Sequence, residues 1–505
     1  MEYVVEMLNI RKEFPGVVAN DNVTLQVKPQ EIHALLGENG AGKSTLMSIL
    51  FGLYHADKGS IKVKGKQVNI TDPNIANELG IGMVHQHFQL VHNFTVTENI
   101  IMGNEGGFVL NIKSASKKIQ ELSERYKLSI DPNAKIEDIS VGMQQRVEIL
   151  KMLYRDADVL IFDEPTAVLT PQEIHELMGI MKNLVKEGKS IILITHKLKE
   201  IKEIAERCTV IRRGKYIGTV DVANTTQQEM ASMMVGREVS FKVDKDPGKL
   251  GDVVLNIKDL TVLNSRKYEA LKKFSINVRK GEIVGLAGVE GNGQTELIEA
   301  VTGLRDIVSG DITLHGEDIT NLSRRKRNEL GIAHIPEDRQ KHGLVLEFTV
   351  GENLILKSYY QEPLSKNGFL NQEKIKEHTE KIVEIFDVRS GQGIYSPAGG
   401  LSGGNQQKAI VGREIDMDPD LLIAVQPTRG LDVGAIEYIH KRLVEQRDKG
   451  KAVLLVSLEL DEIFNLSDRI VVINSGEMID VVKTEDTNED EVGLMMAGIK
   501  RGEGR

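Results

Sequence analysis

Gly37-Glu38-Asn39-Gly40-Ala41-Gly42-Lys43-Ser44-Thr45 spells G-x-x-x-x-G-K-[ST], between the apolar runs Ile32-His33-Ala34-Leu35-Leu36 and Leu46-Met47-Ser48-Ile49-Leu50. A strand therefore enters a glycine-rich loop that opens a helix, the context in which this pattern binds phosphate. Gly37, Gly40 and Gly42 let backbone N–H groups curl around phosphate oxygens, because no Cβ blocks the approach. The following helix aims the positive end of its dipole at the same anion. Lys43 can reach the β/γ-phosphates, and the Ser44 hydroxyl suits Mg²⁺. This stretch is a nucleotide-phosphate site.

Working outward, Asp158-Val159-Leu160-Ile161-Phe162 and Ser190-Ile191-Ile192-Leu193-Ile194 are short apolar runs, as buried parallel strands require. Between them, Pro171 to Lys186 carries Ile174, Leu177, Met178, Met181 and Leu184 at helical spacing, with Gly188 as a stop. The class is α/β with a mostly parallel sheet. Asp163 and Glu164 end the first of these strands, so their carboxylates emerge at the carboxyl edge beside the phosphate loop. Asp163 suits a Mg²⁺ partner and Glu164 a base that orients water. A helix N-cap is the competing role for such acids, and the phosphate loop upstream argues against it. His196 follows the next strand, within reach of a γ-phosphate; histidine alone at a strand end carries little weight.

At 505 residues the chain has room for two or more domains, and 40% apolar with 27% charged residues is an ordinary globular composition. A formal net charge of −10 argues against a general nucleic-acid or anionic-membrane binder. Arg324-Arg325-Lys326-Arg327 is expected to be a solvated helix face. A single cysteine, Cys208, excludes an intrachain disulfide and points to a reducing compartment. No apolar stretch approaches 18 residues, and Met1-Glu2-Tyr3 opens no secretory signal. These features predict a cytoplasmic chain whose membrane role, if any, runs through a partner.

The chain is also a repeat. Gly37 to Gly42 recurs at Gly288 to Gly293, an offset of 251, whereas Asp163 to Thr166 maps to Val425 to Thr428, an offset of 262. The second copy has thus gained a net 11 residues, expected in a helical insertion. The halves are predicted to span residues 1–240 and 252–505, with a polar linker at 241–251 that contains the turn signal Asp246-Pro247-Gly248.

Leu401-Ser402-Gly403-Gly404-Asn405-Gln406-Gln407-Lys408 is close to L-S-G-G-Q, and Ile139-Ser140-Val141-Gly142-Met143-Gln144-Gln145-Arg146 is its weaker copy. With the elements above, the whole chain resembles the tandem ATP-binding subunits of bacterial sugar and nucleoside ABC importers. The resemblance implies two ABC-type ATPase domains, each a mostly parallel P-loop core with an antiparallel β portion and a helical subdomain. It implies ATP held by Phe14 stacking on adenine, by Gly37, Asn39, Gly40, Gly42, Lys43, Ser44 and Thr45, and by Ser402, Gly403, Gly404 and Asp432 of the other half. Mg²⁺ falls to Ser44, Gln86 and Asp163. Catalysis falls to Glu164, Lys43, Gln86 and the switch histidine His196.

The halves differ where it matters. Lys43 becomes Gln294, Gln86 becomes Glu337, Asp163 and Glu164 become Val425 and Gln426, and His196 becomes Leu458; Ser44 becomes Thr295, which keeps a hydroxyl. Losing one positioned acid–base group typically costs ~10²–10⁴ in rate. The better signature sits in the second half, as does Asp432, whose counterpart region in the first reads Val168-Leu169-Thr170. In the family, each ATP lies between one half's phosphate loop and the other half's signature. Good elements therefore segregate into one site and degraded ones into another.

Gly-Val-Glu-Gly-Asn-Gly-Gln in the second loop and the irregular first signature resemble the nucleoside branch more than the ribose or galactose branch. That likeness implies two membrane permeases, an extracytoplasmic solute-binding protein as indirect partner, and a peripheral place on the cytoplasmic face of the membrane. Gln86 and Glu337 would serve two different permease grooves, so two non-identical permeases are expected. A soluble tandem ATPase acting on ribosomes or DNA is the rival class. Its ribosomal members resemble pairs with two intact sites and a long basic linker, and its DNA-repair members carry zinc cysteines or coiled-coil insertions; none of these is found here.

Overall fold

A computed structural model describes residues 2–38, 40–84, 89–104, 111–166, 171–238, 243, 245–246 and 248–501. The chain divides into two compact units, Met1–Val239 and Ser240–Arg505. Residues 245–251 belong to the second: Lys245 Nζ donates to the carbonyls of Leu466 (2.9 Å) and Ser467 (2.6 Å), and Gly251 N to Lys280 O (2.9 Å). Of the polar stretch between the halves, Lys245 and Gly251 are thus hydrogen-bonded to the second unit.

In the first unit the strands are β1 (Val5–Phe14), β2 (Val17–Val27), β3 (Ile32–Leu36), β4 (Lys58–Val63), β5 (Lys66–Val68), β6 (Ile81–Val84), β7 (Val159–Asp163), β8 (Ser190–Thr195), β9 (Arg207–Arg212) and β10 (Lys215–Asp221). They form one sheet in the order β5-β4-β1-β2-β10-β9-β3-β8-β7-β6. The run from β9 to β6 is parallel, and β1, β2, β4 and β5 are antiparallel. A single parallel pairing, Lys215 with Asp21, joins the two portions. Every residue of β3, β7 and β8 is buried, which is why these strands read as unbroken apolar runs rather than alternating ones. The helices Val96–Ile101, Ile112–Arg125 and Val141–Tyr154 contribute Ile100, Ile119 and Val147 to a core shared with Leu160, Phe162 and Leu193 of the sheet.

The second unit repeats the plan in separate sheets. Its strands are β11 (Val253–Leu263), β12 (Glu269–Arg279), β13 (Glu282–Ala287), β14 (Ser309–Leu314), β15 (Glu317–Asp318), β16 (Ile332–Ile335), β17 (Ser365–Lys366), β18 (Phe369–Leu370), β19 (Leu421–Val425), β20 (Ala452–Val456), β21 (Arg469–Asn474) and β22 (Glu477–Lys483). The antiparallel portion runs β12-β11-β14-β15, the main sheet β16-β19-β20-β13-β21-β22, and β17 pairs with β18 alone. Among the described residues no helix is long and apolar enough to cross a membrane.

The extra residues of the second copy do not lengthen a helix. The offset is 254 at the capping-box threonines Thr95 and Thr349, 260 at the helix caps Asn111 and Asn371, and 262 at Ser140 and Ser402. The helices after Asn111 and Asn371 are both 14 residues long. The gain is spread over three connections, one holding a single-turn π-helix at Arg339–Gly343 and another the β17–β18 hairpin. Loop insertions cost little closure entropy, whereas an inserted helix would have needed its own buried face.

The basic run also departs from expectation. Arg324, Arg325 and Lys326 are exposed on the helix Arg324–Glu329, but Arg327 is 3% exposed. Its guanidinium donates to Ala300 O and Val301 O, both at 2.7 Å, and to Thr320 O at 2.8 Å. Ala300 and Val301 lie in the last turn of the helix Gln294–Thr302, where carbonyls lack intrahelical donors and the dipole favours a cation.

Glu414, on the helix Gly403–Asp416, is fully buried. It accepts from Lys357 Nζ (2.6 Å), Arg413 Nε (2.9 Å) and the backbone N–H of His334 in β16 (3.0 Å). Burial alone would raise its pKa, but Lys357 and Arg413 outweigh burial and bring it down to about 2 from an ordinary 4.5. A depressed folded value means that this stabilisation is complete above about pH 4.5 and is lost as the pH falls towards 2. Lys357→Met, which removes one cation, is expected to destabilise the second unit by about 3 kcal/mol. The check is faster hydrogen exchange in Ile332–Ile335 at neutral pH, with the difference from wild type shrinking on acidification.

Candidate ATP-hydrolysing site

β3 is flanked by β8 and β9, with β7 beyond β8, so the loops after β3, β7 and β8 leave the same carboxyl edge. The first carries the phosphate loop. Gly42 caps the helix Lys43–Leu50 at φ 97°, and a Cβ there would lie 2.2 Å from Ala19 O, so only glycine fits against β2. Asn20, fully buried on β2, donates to Gly42 O at 3.1 Å and props the loop from behind. Lys43 is 5% exposed, and its ammonium donates to Gly37 O (2.7 Å) and Glu38 O (3.0 Å). The cation is thereby held inside the curl of the loop. Ser44 is exposed and Thr45 half-buried on the first helical turn. Asn39 lies outside the described residues.

The second connection carries the acids. Asp163 is 7% exposed at the end of β7 and hydrogen-bonds the Ser44 side chain. Burial pushes its carboxyl up, the Ser44 hydroxyl and Lys43 pull it down, and the Glu164 charge pushes it up again; the net direction is upward. A carboxylate beside a hydroxyl is a hard-oxygen donor pair that fits Mg²⁺. Bound there, Mg²⁺ would neutralise phosphate charge. Gln86, the third residue assigned to the metal, lies outside the described residues.

Glu164 has φ 47°, a left-handed backbone that costs a non-glycine residue about 1–3 kcal/mol. Its N–H donates to Ile194 O at 2.9 Å, which ties the turn to β8. The third connection brings His196, whose Nδ1 lies 3.1 Å from Glu164 Oε1. This hydrogen bond holds the Glu164 carboxyl below its ordinary range against the opposing effect of burial. Glu164 is therefore ionised at neutral pH, as a water-orienting base must be, and the imidazole fixes its direction.

Phe14, at the end of β1, is 36% exposed and meets Tyr54 edge-on with ring centroids 5.3 Å apart. Tyr54 escaped the sequence reading. It stands 40 positions along the chain, and no periodicity links the two rings. Lys12 Nζ lies 5.4 Å from the Phe14 centroid. The half-exposed Phe14 ring, with Tyr54 against it edge-on, is the kind of face a base stacks on.

The second unit holds the degraded counterpart. Gln294 follows Gly293 (φ 106°), and its amide donates to Val289 O at 3.0 Å, copying the inward fold of Lys43 without its charge. Gln426 keeps the left-handed backbone of Glu164 (φ 42°), but its amide donates to Glu337 Oε1 at 2.9 Å, and Arg429 pairs with the same carboxylate. The half-buried Leu458 stands where His196 would. At the position of Glu164 this group holds a neutral amide, and its one carboxylate, Glu337, is engaged by Gln426 and Arg429.

The two signatures are distinguished within their own units. Ser402 and Ser140 both cap their helices, accepting from Asn405 N and Met143 N. Asn405 adds a side-chain bond from Nδ2 to Ser402 Oγ (2.9 Å) and accepts from Arg389 N (2.9 Å), whereas Met143 is an exposed apolar residue. Gly403 and Gly404 open the first turn behind Ser402. Asp432 caps the helix Val433–Asp448, accepting from Ala435 N at 2.8 Å. The region of the first half that reads Val168-Leu169-Thr170 lies outside the described residues.

The ABC transporter family profile matches residues 20–167 and 271–429, one segment in each unit. The chain belongs to the ABC transporter family. It is 63% identical over 500 residues to the guanosine import ATP-binding protein NupO of Bacillus subtilis, covering 99% of this chain and 98% of that one. It is 61% identical over 499 residues to the nucleoside import ATP-binding protein NupA of Lactococcus lactis, covering 98% of each. A putative ribose/galactose/methyl galactoside import ATP-binding protein of Geobacillus kaustophilus is 41% identical, again over 98% of each chain. An archaeal ribosome recycling factor, aABCE1, solved with the ribosomal stalk protein aP1, matches 97% of this chain and 92% of its own with TM-score 0.62. At 20% identity that likeness speaks for the fold alone. As an ABC-type ATPase the chain binds ATP, and its two segments are the two ABC domains expected from the repeat.

Proposed function

We propose that this chain is the ATP-hydrolysing subunit that drives nucleoside import through a membrane permease complex, with one catalytic site per chain. The near-full-length identity of 63% and 61% to guanosine and nucleoside import proteins carries the substrate class. The single-site reading is supported by the Glu164–His196 pair and the Asp163–Ser44 pair in the first unit, against the Gln426–Glu337–Arg429 group in the second. In this reading Lys43 and the loop amides hold the outer phosphates, Asp163 and Ser44 hold Mg²⁺ with Gln86, and Glu164 orients water under His196. The residue pattern assigns Ser402, Gly403, Gly404 and Asp432 to the same reaction and Phe14 to the base, and the ring contact adds Tyr54 beside Phe14.

The chain itself touches no transported solute, so the test is made on the assembled transporter. In vesicles containing the co-purified permeases and the solute-binding protein, guanosine uptake is expected to depend on ATP and to exceed ribose and galactose uptake. Preferential sugar uptake would instead favour the reading supported by the 41% identical relative. The chain is proposed to sit peripherally on the cytoplasmic face, against two non-identical permeases. Gln86→Ala is expected to keep residual ATPase but lose uptake, because that amide reports phosphate and metal occupancy to the permease. Unchanged uptake would overturn the coupling role, and two identical permease copies in the purified complex would overturn the stoichiometry.

A further inference from the structure

Glu200 lies on the helix Leu198–Ile204, its carboxylate 6% exposed. Oε1 accepts from Thr166 Oγ1 at 2.5 Å and Oε2 from Thr195 Oγ1 at 3.0 Å, and both threonines are buried. Thr166 stands two residues after Glu164, and Thr195 immediately precedes His196. One carboxylate therefore ties the turn after β7, which carries Glu164, to the end of β8, which leads into His196.

We propose that Glu200 is a positioning residue for ATP hydrolysis: it fixes the two turns that hold Glu164 against His196. The reasoning is one of hydrogen-bond polarity. A carboxylate only accepts, so both threonine hydroxyls must point their protons at Glu200. Thr195 Oγ1 is then free to accept from Lys197 N, which it does at 3.0 Å, and His196 is pinned from both sides. Charged acceptors make hydrogen bonds roughly twice as strong as neutral ones. That strength is wanted here, because Glu164 sits in a strained left-handed backbone that only its surroundings can maintain.

The second unit shows the same clamp without the chemistry. Glu462 accepts from Thr428 Oγ1 at 2.7 Å and bonds the Ser457 side chain, while Gln426 keeps the left-handed turn. There His440 Nε2 supplies a further partner at 2.9 Å, at a position occupied in the first unit by Met178. The clamp belongs to the fold, and only in the first unit does it bear on catalytic groups. This internal copy separates positioning from stability.

The inference rests on the first unit being the hydrolytic site, so Glu164→Gln is measured alongside. Phosphate release by the full-length chain is followed for Glu200→Gln, Thr195→Val, Thr195→Ser and Glu462→Gln, with KM for ATP and the melting transition of each. A glutamine at 200 keeps the shape but donates to one hydroxyl and reverses its polarity. Glu200→Gln and Thr195→Val are each expected to lower kcat by roughly tenfold, with KM for ATP within about twofold of wild type. Thr195→Ser is expected to restore kcat to within about twofold, and Glu462→Gln to leave it there. The proposal is overturned if Glu200→Gln and Thr195→Val keep kcat, if the serine variant is as slow as the valine, or if Glu462→Gln slows turnover as much as Glu200→Gln. If Glu164→Gln hydrolyses ATP normally, the site assignment itself fails; if it is inactive while Glu200→Gln is not, only the positioning role falls.

Discussion

Glu164→Gln is expected to slow phosphate release by roughly 10²-fold or more while ATP still binds. The change preserves side-chain length and leaves an amide oxygen for the His196 hydrogen bond, now made 3.1 Å from Glu164 Oε1. It removes the negative charge that draws a proton from water. The folded protein already keeps Glu164 ionised, with the His196 hydrogen bond outweighing burial, so the wild-type base is fully available at neutral pH. Gln426→Ala in the second unit is expected to change turnover less than about twofold, because glutamine there is already no base. Its amide bonds Glu337, whose charge Arg429 also meets, so a neutral truncation leaves that carboxylate paired. Equal inactivation by the two variants in a phosphate-release assay would refute the assignment of chemistry to the first unit.

Lys43→Ala is expected to cut kcat/KM for ATP by about 10²–10³, the range seen when one preorganised donor to developing charge is removed. Lys43 is 5% exposed and its ammonium is held by Gly37 O and Glu38 O, so the charge is largely desolvated and fixed within the loop. Such preorganisation makes a cation count for more than it would in water. Losing the charge also removes one influence that lowers the pKa of both Asp163 and Glu164. Gln294→Ala deletes only a neutral bond to Val289 O, and turnover is expected to stay within about twofold. The measurement is steady-state phosphate release across ATP concentrations, with direct ATP binding alongside. A Lys43→Ala chain that hydrolyses normally, or one matched in its loss by Gln294→Ala, would overturn the role of this lysine.

Much of this protein was legible before any coordinates. The phosphate loop is contiguous, and the motif with its flanking apolar runs Ile32–Leu36 and Leu46–Leu50 implies strand, turn and helix within one window. The acids of β7 and the histidine after β8 were legible in position because each follows a short apolar run that reads as a buried parallel strand. Duplication made the degraded copy readable by subtraction.

Apart from the exposed ring of Tyr54, what stayed hidden consists of polar side chains whose burial depends on partners elsewhere in the chain. Thr166 and Glu200 are 34 positions apart, and either residue alone reads as an ordinary surface polar group. Glu414 falls on a helix face that periodicity marks as core, yet Lys357, 57 positions away, makes a buried carboxylate tolerable there. Arg327 was assigned to solvent with its neighbours, and the carbonyls at the end of the helix Gln294–Thr302 claimed it instead. Apolar periodicity reports which face turns inward, because hydrophobic burial needs no particular partner. A buried charge or hydroxyl is stable only where specific donors and acceptors converge, and chain packing alone determines where that happens.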